Sequence, residues 1–67
     1  MPNGPGDPDK IAEAIRESGL SFRSLARRMG GISDTSISNY AHGLRKPAAG
    51  NLARLASALG IDVRSLT

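Results

Sequence analysis

Apolar residues recur along this chain in short runs of helical period, each bounded by a polar cap and a glycine. Ile11 and Ile15 stand four apart on one face. Phe22, Leu25, Ala26 and Met29 follow at the i, i+3, i+4, i+7 spacing of a second stripe, and Ile37, Tyr40 and Ala41 mark a third. Leu52, Leu55, Ala56 and Leu59 form the fourth, and Val63 and Leu66 belong to a last short turn. This spacing predicts amphipathic helices with those residues inward. The punctuation agrees with it. Asp7 before Pro8, then Ser21, Ser33 and Asp62, are N-cap residues whose oxygens accept orphan N–H groups, while Gly19, Gly30-Gly31, Gly43 and Gly60 supply helix stops. No stretch alternates with the period of a strand, and there is no internal repeat. The prediction is an all-α fold, a compact bundle of five short helices spanning residues 7–67.

Residues 1–6 hold two Pro, two Gly and only Met1 as an apolar side chain, and read as a flexible arm. The arm carries no cation, which argues against a minor-groove role of the arginine-bearing kind. At 67 residues the chain is one small domain that must use nearly all its apolar side chains in one core. No apolar run exceeds two residues, so neither a membrane span nor a signal-peptide core is encoded. Without Cys, and with His42 as the sole imidazole, no metal site or cofactor site is expected.

Net charge is +3, unevenly spread. The first 20 residues set Lys10 and Arg16 against Asp7, Asp9, Glu13 and Glu17, a net −2. The remainder sets Arg23, Arg27, Arg28, Arg45, Lys46, Arg54 and Arg64 against Asp34 and Asp62, a net +5. A basic body of that size points to a polyanionic partner.

The second and third predicted helices, joined by a short glycine turn, have the layout of a helix-turn-helix. The third opens with Ser33-Asp34-Thr35-Ser36 and continues with Ser38 and Asn39. These small polar residues have poor propensity for a helix interior. They suit a surface that enters a major groove and offers short donors and acceptors to base edges; the alternative is a capped, merely solvated helix start.

At these residues the chain resembles the Cro/repressor-type helix-turn-helix DNA-binding domains, the lambda-repressor-like or XRE family, from about Ile11 to Leu66. The resemblance is carried by Leu20-Ser21, Leu25-Ala26, the turn glycine, Ile32-Ser33, Ile37-Ser38-Asn39-Tyr40, Gly43, Pro47, Leu52, Leu55-Ala56, Leu59-Gly60-Ile61 and Val63 through Leu66. It implies that Ala26 lets the two motif helices approach and that Ile37 packs beneath the reading helix. It further implies base-reading roles for Asp34, Thr35, Ser36 and Asn39. Asn39 would pair with adenine, Asp34 would accept from cytosine N4, and Thr35 would meet a thymine methyl. For Asp34 a plain helix-start charge stays open as the alternative. Phosphate contacts fall to Arg23, Arg45 and Lys46, with Ser21, Ser38 and His42 as secondary candidates. Four departures from the family pattern stand out. The turn is one residue longer, most simply at Gly30-Gly31. Phe22 replaces a polar brace and is expected to pack instead. Ala41 replaces an ion-pairing Glu, and Ala48 replaces the hydroxyl cap of the fourth helix.

The resemblance implies a sequence-specific transcriptional regulator acting on double-stranded DNA, a phage or prophage repressor, in the cytoplasm of a bacterial cell. The competing function is an antitoxin or other protein-binding module of the same fold. An enzyme is not expected: Asp34 and His42 share one helix eight residues apart, which is about 12 Å at the helical rise, and a small bundle leaves little room for a substrate. Nor is a membrane binder, because the cations do not share one face. Pairing into a homodimer, on DNA or before it, would draw on Leu59, Ile61, Val63 and Leu66, which serve equally well to close the monomer core.

Overall fold

The computed structural model describes residues 6–67. They form α1 (Pro8–Glu17), α2 (Phe22–Arg28), α3 (Asp34–Ala41) and α4 (Ala49–Leu59), followed by a 3₁₀ helix (Val63–Leu66), with no strand among the described residues. The expected fifth helix is therefore a single 3₁₀ element. Its backbone bonds run i→i+3, from Ser65 N–H to Asp62 O and from Thr67 N–H to Arg64 O, the tighter ladder of a short 3₁₀ turn. Of the arm expected over residues 1–6, residues 1–5 lie outside the described residues. Gly6 already lies against the body: a methyl group there would fall 2.9 Å from Ile11 Cδ1, at a backbone φ of +101°.

Each helix begins as its cap residue dictates. The Asp7 carboxylate accepts the Asp9 and Lys10 N–H groups ahead of Pro8. Ser21 accepts Ser24 N–H, Ser33 accepts Ser36 N–H, and Asp62 accepts Arg64 N–H. Arg64 also donates to Asp62 from its guanidinium, and that side-chain hydrogen bond, with the backbone one, lowers the Asp62 pKa from its ordinary value. Helix α4 alone lacks such help, because Ala48 at its N-cap has no side-chain acceptor.

Three helices end on one device. Gly30 N–H bonds Arg27 O while Gly31 N–H reaches Ala26 O; Gly43 and Leu44 do the same to Tyr40 and Asn39, and Gly60 and Ile61 to Ser57 and Ala56. This paired 6→1 and 5→2 pattern needs a left-handed residue after the last turn. Gly43 and Gly60 supply it at φ +69° and +72°. Gly31 is also left-handed, at φ +93°, so the long turn before α3 spends two glycines where its siblings spend one.

Helix α1 packs on α3 and on the 3₁₀ helix, α2 packs on α3 and α4, and α4 packs on the 3₁₀ helix. Their buried faces share one core of Ile11, Ile15, Leu25, Ala26, Met29, Ile37, Tyr40, Leu52, Leu55, Ala56, Ala58 and Leu66. Leu20, Ile32, Ala41 and Leu59 pack against its rim. Two residues expected inward are not: Phe22 and Val63 are each 37% exposed. Phe22 is the first residue of a seven-residue helix, before the turn that faces the core, and it borders an open hollow with Ala12, Ile15, Arg16, Ala41 and His42. Leu66, by contrast, is fully buried and so is spent on the monomer core rather than left for pairing. The ends of the bundle are tied together: Asp7 N–H donates to Leu66 O at 2.7 Å, and Lys10 Nζ to Thr67 O at 3.1 Å.

Two stability changes follow. Leu66→Ala should lower unfolding free energy by about 2–5 kcal/mol, measured by urea denaturation, because it empties a site walled by three elements. Ala48→Ser should raise it by about 1 kcal/mol in the same assay by supplying the missing cap.

Candidate nucleic-acid interface

Helix α3 is held by one side and presents the other. Ile37 and Tyr40 are 0% and 5% exposed and fasten it to the core. At about 100° per residue, the side chains opposite that pair are Thr35, Ser38 and Asn39, which share an arc of about 100°. Thr35 is exposed, and Ser38 and Asn39 are half-exposed. None of the three carries charge. Ser38, expected at phosphate, thus lies on the arc of the expected base readers.

Ser36 lies on the other flank, next in angle to Tyr40, and its hydroxyl shares a 3.0 Å hydrogen bond with the Ser33 hydroxyl. That bond belongs to the cap and turns Ser36 away from the Thr35–Asn39 arc. Asp34 is exposed at the first position of α3, where a carboxylate suits the helix dipole. It also faces across to α2, with Oδ2 lying 3.9 Å from Arg23 Nε.

Arg23 sits in the first turn of α2, which contains no acidic residue. The same end of α2 repeats the serine pattern of α3. Ser21 Oγ accepts Ser24 N–H at 3.1 Å and donates its own proton to Ser24 Oγ at 3.0 Å. The hydroxyl proton left over is therefore that of Ser24, which is exposed. Ser24 was not singled out from the sequence, although the spacing of Ser21-x-x-Ser24 and Ser33-x-x-Ser36 is visible there.

Beyond α3, the loop from Gly43 to Pro47 carries Arg45 and Lys46. Pro47 is among the fully buried side chains and pins the loop, while Leu44 is 75% exposed at its tip. Arg45 is exposed, Lys46 is half-buried, and His42, also exposed, caps the end of α3. Arg23 thus stands beside the start of α3, through Asp34, and the Arg45-Lys46 loop follows the end of that helix in the chain. Arg27, Arg28 and Arg54 are exposed elsewhere: Arg28 and Arg54 border an open hollow with Met29, Gly30 and Ser57. The acids Asp9, Glu13 and Glu17 are exposed on α1, outside this surface.

Among the described residues no three His, Asp or Glu side chains gather as a metal site, no buried side-chain polar atom lacks a partner, and no helix is long and apolar enough to cross a membrane. An uncharged polar arc on an otherwise anchored helix, with cations near the helix start and in the loop after it, suits a groove bounded by two phosphate strands.

Comparison with known proteins places the chain in a family. No curated protein and no solved structure matches the chain. A family model described as helix-turn-helix, of the XRE or lambda-repressor-like type, matches residues 11–66, from the first buried isoleucine of α1 to the leucine that closes the core. Covering all four α-helices and the 3₁₀ element, that match makes this chain a member of the helix-turn-helix family of DNA-binding transcription regulators.

Proposed function

We propose that the protein is a sequence-specific transcriptional repressor of the phage or prophage Cro type, which reads an operator through the major groove with α3. The observation that carries this reading is the uncharged arc of Thr35, Ser38 and Asn39 opposite the buried face of Ile37 and Tyr40, on a helix that starts beside Arg23 and is followed along the chain by Arg45 and Lys46. A surface built for indiscriminate polyanion binding would place cations on the arc itself; here the arc carries none, and short hydrogen-bonding groups occupy it.

Within that reading Asn39 is the strongest base reader, because its amide can donate and accept at the two groups adenine offers in the major groove. Thr35 supplies a methyl group for thymine. Ser38 reaches either a base edge or a phosphate from the centre of the arc. Ser36, with its hydroxyl engaged by Ser33, contributes through the cap it helps to build. Arg23, Arg45 and Lys46 take phosphates, assisted by the Ser21–Ser24 pair and by His42. No cofactor or small-molecule substrate enters this account.

Two copies on neighbouring half-sites, about one helical turn or 34–36 Å apart, fit the usual geometry of such readers. Leu59, Ile61 and Val63 are the apolar side chains left for their contact, with Ile61 38% exposed. A bacterial cytoplasm is where such a regulator would work.

Two substitutions test the division of labour. Asn39→Ala should cost about 1–3 kcal/mol on the preferred site and relax preference at a single base pair. Arg45→Ala should weaken all duplexes alike and reduce the slope of log affinity against log salt by about one. Selection of bound sequences from a random duplex pool, followed by a salt titration, reads both. A wild-type pool that returns no motif overturns the operator-reading proposal and transfers weight to a protein-binding antitoxin.

A further inference from the structure

Arg23 and Asp34 are both DNA-facing candidates, yet they are joined to each other. The contact uses Nε of the guanidinium and Oδ2 of the carboxylate, at 3.9 Å. Both side chains are largely in water, 76% and 55% exposed, so the pair adds little to folding. Its local setting is more telling. A cation in the first turn of a helix opposes the helix dipole, and the first turn of α2 has no acid of its own to offset Arg23. The offsetting carboxylate comes instead from the first position of the neighbouring helix, which links the starts of α2 and α3.

An arginine has two usable edges. Nε is the guanidinium nitrogen nearest Asp34, at an ion-pair distance too long for a hydrogen bond, so the fork of Nη1 and Nη2 can meet two phosphate oxygens while the carboxylate stays beside Nε. A bare carboxylate at the mouth of the reading helix would be repelled by the duplex backbone; a guanidinium between them removes that repulsion. From this geometry we infer that Arg23 and Asp34 engage DNA as one bridging unit: Asp34 is a positioning residue that orients Arg23, and Arg23 clamps a phosphate with its free edge. The inference rests on the DNA-binding reading and assigns Asp34 a task other than reading cytosine. Lysine at position 23 could not do the same work, because a single ammonium centre has no second edge.

The experiment is a double-mutant cycle on the full chain, measuring affinity for the selected duplex and for an unrelated duplex across a salt series. Folding of each variant is checked by circular dichroism; both side chains are exposed, so the bundle should be retained. Asp34→Ala should weaken binding to both duplexes by about two- to fivefold in the wild-type background, the range an exposed ion pair supports. In the Arg23→Ala background the same change should strengthen binding, since only repulsion is then removed. Arg23→Lys should keep the salt slope but lose the dependence on Asp34. The selected motif should be unchanged by Asp34→Ala.

An equal factor in both backgrounds, or a motif altered at one base pair by Asp34→Ala, overturns the bridging unit and makes Asp34 an independent reader. An Arg23→Ala protein with unchanged affinity and salt slope, while Arg45→Ala still weakens binding, also overturns it and leaves the DNA-binding reading intact. A wild-type chain that binds no duplex overturns both.

Discussion

Everything presented to solvent by α3 depends on the two residues it buries. Ile37 and Tyr40 are set in a core to which every helix contributes, and they determine which way Thr35, Ser38 and Asn39 must point. A helix of eight residues has little stability of its own in water. Its poor interior propensity, the result of four polar residues chosen from serine, threonine and asparagine, is tolerated because tertiary burial overrides it. The surface that would read DNA is thus free to vary chemically, while the buried side holds its direction fixed. Ala26, 3% exposed on α2, keeps that packing close.

The charges are arranged by the same scaffold. Cations stand at the start of α2 and in the loop after α3, and the capping serines set the first turns that carry Arg23 and Asp34. Pro47 is buried so that Arg45 need not be. Acids gather on α1, whose buried Ile11 and Ile15 share the core with Ile37 and Tyr40 of α3. Coulomb forces between such exposed groups are weak in water, and they gain weight where a duplex excludes solvent. The electrostatic pattern therefore says more about what approaches the protein than about what folds it.

Local features were legible in the sequence because they depend on neighbours in the chain. Ser21, Ser33 and Asp62 cap as their chemistry requires, Gly43 and Gly60 stop their helices, and the periodic Ile, Leu and Ala positions find the core. The absence of a cap at Ala48 was equally visible. What was not legible depends on where distant segments meet. Phe22 has the right spacing to be inward, but its place in the first turn of a short helix leaves its ring at the surface. Val63 opens the 3₁₀ element and is 37% exposed while Leu66, three residues on, is fully buried, a difference that their spacing in the chain does not report. The Arg23–Asp34 contact joins two helices across a glycine turn, and no periodicity reports it. Ser24 is a subtler case: its spacing to Ser21 is plain, yet only the direction of the hydroxyl proton makes it the outward donor.

The uncapped start of α4 has a wider meaning. Its first turn contains Gly50, beside Ala49, so the segment next to the Arg45-Lys46 loop combines amides without a side-chain cap and a residue of high backbone freedom. The reading helix, by contrast, is capped at its start and closed by glycine at its end. The two ends of the loop from Gly43 to Pro47 are therefore held differently, by a glycine-stopped helix before it and by a helix without a side-chain cap after it, with buried Pro47 fastened between them.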